Sequence, residues 1–280
     1  MEKNDHMQDV LQLEALLLSR AYLYELFHKL LGGAPDEVLL DTLASEVTAD
    51  VLDEFAGASD ALVALGGFLT VLRADDRVQL LSRARDEYTR VFVGPLALPA
   101  SPYESPYTGA HDMATFQANT LAVRSIYHAA SLRVRREQAV PDDHVALMCA
   151  FMAELSKRSL EALREGHLAG LASLLRDQRR FAEGHLANWL GVFAKSVRNS
   201  KAGAEAVLYP QMLEGLDAFV RADLDFLAES AYWVEGEAAS GMALLVAGPA
   251  PELASAQDAL DSLEALRPFG IQDNELVPFV

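Results

Sequence analysis

Two carboxylates and an imidazole stand side by side at Asp142, Asp143 and His144, directly after Pro141. Upstream, a proline-punctuated stretch carries Tyr103-Glu104-Ser105, and before it Tyr88 and Phe92 lie four positions apart. Carboxylates beside aromatic rings form an acceptor set for arginine. The guanidinium fork pairs bidentately with a carboxylate and stacks on an aromatic face for roughly 0.5 to 2 kcal/mol. Asp142, Asp143 and Glu104 can supply the carboxylates, Tyr103 and Tyr107 the rings. An unperturbed His144 would titrate near neutrality and make release pH-sensitive. The same residues have plainer roles: an aspartate after proline caps a helix, a histidine in a first turn bonds locally, and an aromatic pair at i, i+4 packs in a core. Both readings stand on the residues alone.

Catalytic machinery is not legible. The chain has no Gly-x-x-x-x-Gly-Lys-Ser/Thr loop, no Gly-x-Gly-x-x-Gly turn and no Gly-x-Ser-x-Gly elbow. Glu25-x-x-His28 has the spacing of a di-iron helical bundle, but such bundles need a second copy and further glutamates. One cysteine, Cys149, and seven unclustered histidines leave no zinc or iron–sulfur pattern. Neither an enzyme nor a metal or cofactor site is expected.

The elements that must position these groups read as helices. From Leu11 to Leu31 leucines recur at helical spacing until Gly32-Gly33 and Pro35 end the run. Further helical stretches are expected over 36–55 as one or two short helices, then over 59–73, 75–93 and 112–130. Another should open at Pro141 and reach Arg164, followed by 167–199 with a break at Gly184, and by 202–230 with a kink or restart at Pro210. Residues 96–111 carry Pro99, Pro102 and Pro106 with no helical period, a connection longer than most in compact domains. No strand is expected before residue 230. The fold class is all-α: one helical bundle-like domain of about nine or more helices over 1–228, with an acidic extension over 229–280 that has room for one helix.

Composition limits the partners. With 23 basic and 41 acidic side chains the net charge is −18, which repels nucleic acid and anionic membranes and attracts basic ligands. The stretch 229–280 holds nine acidic residues against Arg267 alone. The acidic start of the chain, the lone cysteine and the lack of any run of about 18 apolar residues point to a reducing cytoplasmic setting without stable membrane insertion.

Asp86-Glu-Tyr-Thr-Arg-Val-Phe-Val-Gly-Pro95 followed by Pro102-Tyr-Glu-Ser105 resembles the paired motif of the TorD/DmsD family of redox-enzyme maturation chaperones. Pro141-Asp-Asp-His-Val145 with Phe151-Met152 is similar to that family's Pro-Asp-His-Ile segment and the Phe-Met that follows. Tyr22 to Leu31, and His185-Leu-x-x-Trp189 with Phe193, resemble family helices more faintly, so the likeness spans about residues 10 to 228. The resemblance implies an all-helical chaperone that binds the twin-arginine leader and immature form of a molybdenum-cofactor-dependent oxidoreductase, assisting cofactor insertion and delaying export. It implies a groove bordered by Asp143 and His144, with Pro141, Asp142, Tyr88, Phe92, Tyr103, Glu104 and Ser105 adjoining. Relatives occur as monomers or domain-swapped dimers. A scaffold, or a NarJ-type assembly factor with a non-exported client, is the alternative. The acidic extension is expected to compete for the groove through Leu263, Leu266 and Phe269.

Overall fold

The computed structural model describes residues 2–73, 76–94, 98–108, 113–136, 140–240, 250–266 and 275–279. Among these, twelve α-helices, a few short 3-10 and π turns and one two-stranded sheet account for the regular structure. The all-α expectation holds.

Helix α1 (Glu2–Gly32) is the axis of the molecule. From Leu17 onward its side chains are nearly all buried, on every side rather than along one stripe. It packs against α7 (Val145–Arg164), α3 (Glu46–Asp53) and α12 (Ala254–Ala265). A helix enclosed on every side is a core helix, its buried charges being paired within the fold, and each fully buried leucine or phenylalanine contributes about 1.5–3 kcal/mol. The short α2 (Glu37–Leu43) and α3 begin at Asp36 and Ser45, whose side chains accept amide N–H groups of the first turn.

A second layer is built on α11 (Tyr209–Ser240), which packs against α8 (Leu168–His185), α9 (Leu190–Arg198) and α4 (Asp60–Arg73). Phe219 of α11 meets Tyr24, Phe27 and Phe55 at ring-centroid distances of 4.9, 6.4 and 5.1 Å and so joins the two layers. Pro210 restarts the chain at the first turn of α11, where a missing N–H costs nothing. The short α10 (Lys201–Ala204) precedes it. Helix α5 (Arg77–Tyr88) runs into a single π-helical turn, Thr89–Val93, closed where Gly94 takes a positive φ of 47°.

Three departures from the sequence expectations matter. Helix α7 starts at Val145, not at Pro141, because the Pro-Asp-Asp stretch is held as a loop by residues 102–105. A strand does exist before residue 230: β1 (Leu132–Val134), after α6 (Met113–Ala129), pairs antiparallel with β2 (Leu276–Pro278) in the register Leu132↔Pro278, Arg133↔Val277 and Val134↔Leu276. A three-residue strand whose partner residues lie 142 to 146 positions away leaves no local signal. Position 228 falls inside α11, which continues to Ser240, and α12 docks on α1 with Leu260 and Leu263 buried.

Candidate functional site

The two motif segments meet. Val145 donates its N–H to the Pro102 carbonyl at 2.9 Å and Glu104 donates its own to Asp143 at 3.1 Å, forming an isolated bridge between Tyr103 and His144. One oxygen of the Asp143 carboxylate accepts both the Ser105 N–H at 3.0 Å and the Ser105 hydroxyl; the other accepts the Thr120 hydroxyl at 3.1 Å. Asp143 and Ser105 have no solvent exposure. A buried carboxylate is tolerated where donors surround it, and here they come from the loop and from α6.

Asp142 faces the other way. The Arg124 guanidinium donates to its carboxylate at 3.0 and 2.5 Å, and the Tyr127 hydroxyl donates to its carbonyl at 3.0 Å. His144 is the N-cap of α7, its Nδ1 accepting the Ala146 N–H at 3.1 Å while its ring meets Tyr103 edge-on. Burial, reinforced by the nearby His28, pushes the His144 imidazole down to about 3. It is therefore neutral throughout the physiological range, which overturns the expected titration near neutrality. Glu104 pairs with His185 Nδ1 at 3.0 Å and ties the loop to the end of α8.

Of the nine expected residues, the structure brings seven into this clasp: Tyr103, Glu104, Ser105, Pro141, Asp142, Asp143 and His144. Only Tyr103 and Pro141 are partly exposed. Neither aspartate caps α7 or stands in solvent, and all three carboxylates already have partners within the chain. Tyr88 and Phe92 lie in the adjoining aromatic core, stacked at 5.1 Å and packed on Tyr209 at 5.8 and 5.2 Å. Phe92 continues through Phe193 to Tyr107, which stacks on Trp189 at 5.2 Å. Burial raises the Tyr88 hydroxyl, and raises that of the less enclosed Tyr107 to about 12.

Sequence reasoning missed several members. Arg124, Thr120 and His185 hold the three carboxylates, yet none sits in a motif that names its partner. Glu87 lies inside the first motif and is fully buried, accepting N–H groups from Val207, Leu208 and Tyr209 at the start of α11. Glu25 is spent on Lys29 at 3.1 Å, and His28 Nδ1 faces the Ala146 carbonyl at 2.9 Å. Among the described residues no group of three or more His, Cys, Asp or Glu side chains is placed to hold a metal.

Beside the clasp a cleft of about 610 Å³ opens between α6, α7 and α8. Its walls are apolar, with Ile126, Phe151, Leu155, Leu174 and Phe181, and Arg158, Asp177, Arg180 and His185 also line it. The Arg158 guanidinium is bound to Glu154 and to the Ala130 carbonyl. Through His185 the cleft is in direct contact with Glu104, the clasp's link to α8. Of the expected competitors, Leu263 is buried against the core on α12, and Phe269 lies outside the described residues. No described helix is long and apolar enough to cross a membrane.

Comparison with known proteins covers the same region. Residues 43–195 match the family model described as nitrate reductase delta subunit, a span that holds both motif segments and the cleft. The chain is 26% identical over 230 residues to the chaperone protein TorD of Shewanella pealeana (strain ATCC 700345 / ANG-SQ1), an alignment covering 78% of this chain and 90% of that protein.

Proposed function

Since the chain belongs to the nitrate reductase delta subunit family of NarJ- and TorD-type chaperones, we propose that it is a cytoplasmic maturation chaperone for a molybdenum-dependent redox enzyme and recognises that client through a twin-arginine leader. The observation that carries the reading is the family match over 43–195, which spans the two motif segments that clasp one another. Redox-enzyme maturation is the role the family and the TorD relative support; leader recognition is the finer proposal.

The physical chemistry suits it. A leader of this kind is cationic and then apolar over roughly 7 to 15 residues. A chain with a net charge of −18 draws the cationic part in over a Debye length of about 8–10 Å. The apolar part then has a cleft lined by Phe151, Leu155 and Phe181 in which to bury surface, worth about 25 cal/mol per Å² removed from water. In this reading the clasp lies beside the cleft: Tyr103 and Pro141 offer their partly exposed sides, Glu104, Ser105, Asp142, Asp143 and His144 hold the two segments together, and Tyr88 and Phe92 support them from the adjoining aromatic core. Binding energy, not catalysis, does the work. Client folding around its cofactor withdraws the bound segment and shifts the equilibrium toward release.

A second reading, an assembly factor for a client that is not exported, is compatible with the family description of a nitrate reductase delta subunit. Co-expression with a candidate precursor separates the two. The first reading expects co-purification with the intact precursor and loss of the complex when the leader is deleted or its arginine pair becomes lysine. Undiminished binding to the leaderless client leaves only the assembly-factor reading.

A further inference from the structure

The carboxy-terminal strand sits against this cleft. Ser131, which helps line the cleft, carries a positive φ of 58° and turns the chain out of α6 into β1. Its carbonyl accepts the N–H of Phe279 at 2.8 Å. At the other end Arg135 donates its N–H to the Glu275 carbonyl at 2.8 Å and its guanidinium to the Glu275 carboxylate at 2.5 Å. The Phe279 ring stacks nearly parallel on His128 at 4.4 Å and is 44% exposed. Leu276 and Val277 are half-buried, Leu276 packs on the core, and β2 lies against α7 as well as β1.

We propose that the edge of β1 is a docking site for an extended apolar peptide segment of a partner polypeptide, and that Glu275–Phe279 is its resident stand-in. The resident shows what the edge takes: an acidic residue for Arg135, aliphatic residues opposite Val134 and Arg133, then an aromatic ring for His128. Strand addition of this kind draws affinity from main-chain hydrogen bonds and specificity from alternate side chains. A two-stranded ribbon of three residues is marginal by itself, so the resident holds its place chiefly through the high effective concentration of a tethered segment. An incoming strand gains the same ladder and, through Ser131, continues directly onto the apolar cleft. That the partner is the client rests on the function proposed above.

The register designs the test. The Arg135–Glu275 pair exchanges a main-chain hydrogen bond, so the pair one step along, Val134 and Leu276, is of the non-hydrogen-bonded type whose side chains approach closely. Full-length chain carrying Val134→Cys and Leu276→Cys, oxidised with diamide, locks the resident in place; dithiothreitol releases it. Full-length Leu276→Asp/Phe279→Ala weakens the resident instead. The probe is a fluorescent peptide copying residues 271–280. Expected is binding at least tenfold tighter to the weakened chain than to wild type, and none to the locked chain until it is reduced. Equal affinity for weakened and wild-type chains, or for oxidised and reduced forms, overturns the proposal.

A capture experiment with the client precursor keeps the two readings apart. Capture by the reduced but not the oxidised chain supports the edge as the client's site; equal capture by both overturns it and leaves the maturation role standing. If the peptide binds as expected and no chain captures the precursor, the edge remains a peptide site and the client assignment fails.

Discussion

Ser105 and Asp143 stand 38 positions apart in the chain and share two hydrogen bonds, the serine giving both its backbone N–H and its hydroxyl to one carboxylate oxygen. Neither is reached by solvent. The pair that the sequence presents as part of a binding surface thus fastens the loop before α7 to the segment 102–105 from within.

Asp143→Ala should therefore cost about 2–4 kcal/mol, because it strands the buried donors of Ser105 and Thr120. Asp143→Asn, which keeps an acceptor oxygen, should cost less. Urea denaturation of both variants is the measurement; an Asp143→Ala chain as stable as wild type contradicts the clasp.

Arg20, with Asp223, Gln178 and Tyr24, forms a fully buried network in which the guanidinium also lies 5.2 Å from the centre of the Phe226 ring. Arg20→Met alone leaves the Asp223 carboxylate unpaired and should cost about 3–5 kcal/mol. Arg20→Met with Asp223→Leu should recover most of that loss. Thermal melts of the two singles and the double form the cycle, and strict additivity would rule out the coupling.

His144 ties stability to pH. Its folded value of about 3 lies below the ordinary 6.5 at which the unfolded chain takes up the proton. Its contribution is fully present above about pH 6.5 and drains away toward pH 3, by up to about 1.4 kcal/mol per pH unit. His28, also lowered by burial, acts in the same direction. His144→Asn offers an amide oxygen as cap acceptor in place of the ring Nδ1 and removes the titration, so its unfolding free energy should fall less steeply between pH 6.5 and 4. A slope equal to wild type would assign the acid sensitivity elsewhere.

Glu87 satisfies three amides at the start of α11, against a burial that raises its pKa. Glu87→Ala should destabilise by about 1–3 kcal/mol and speed hydrogen exchange at positions 207–212 before the rest of α11. Exchange unchanged there would mean that the amides find water instead.

Helices were legible where apolar spacing is long and ends in Gly or Pro, as in α1 and α5. The start of α7 was not, because what holds Pro141–Asp143 as a loop is a segment 38 positions earlier, and a local rule for proline and aspartate takes no account of it. The motif residues were legible as a group that belongs together. Their orientation was not: Arg124 and His185 decide which carboxylates are consumed, and neither is adjacent in sequence to its partner. Arg20 sits in a leucine-rich run where only the distant Asp223 makes a charge tolerable. Strand β1 was invisible for the same reason.

Helix α1 is enclosed by α7 and α12, whose last turns come some 130 and 230 residues after its own. The short α3 lies close in sequence, but most of the surface that its leucines settle against comes from these distant segments. The core is therefore closed by contacts between segments far apart in sequence, whose loop-closure entropy must be met before their burial repays it, so folding should be slow for an all-helical chain.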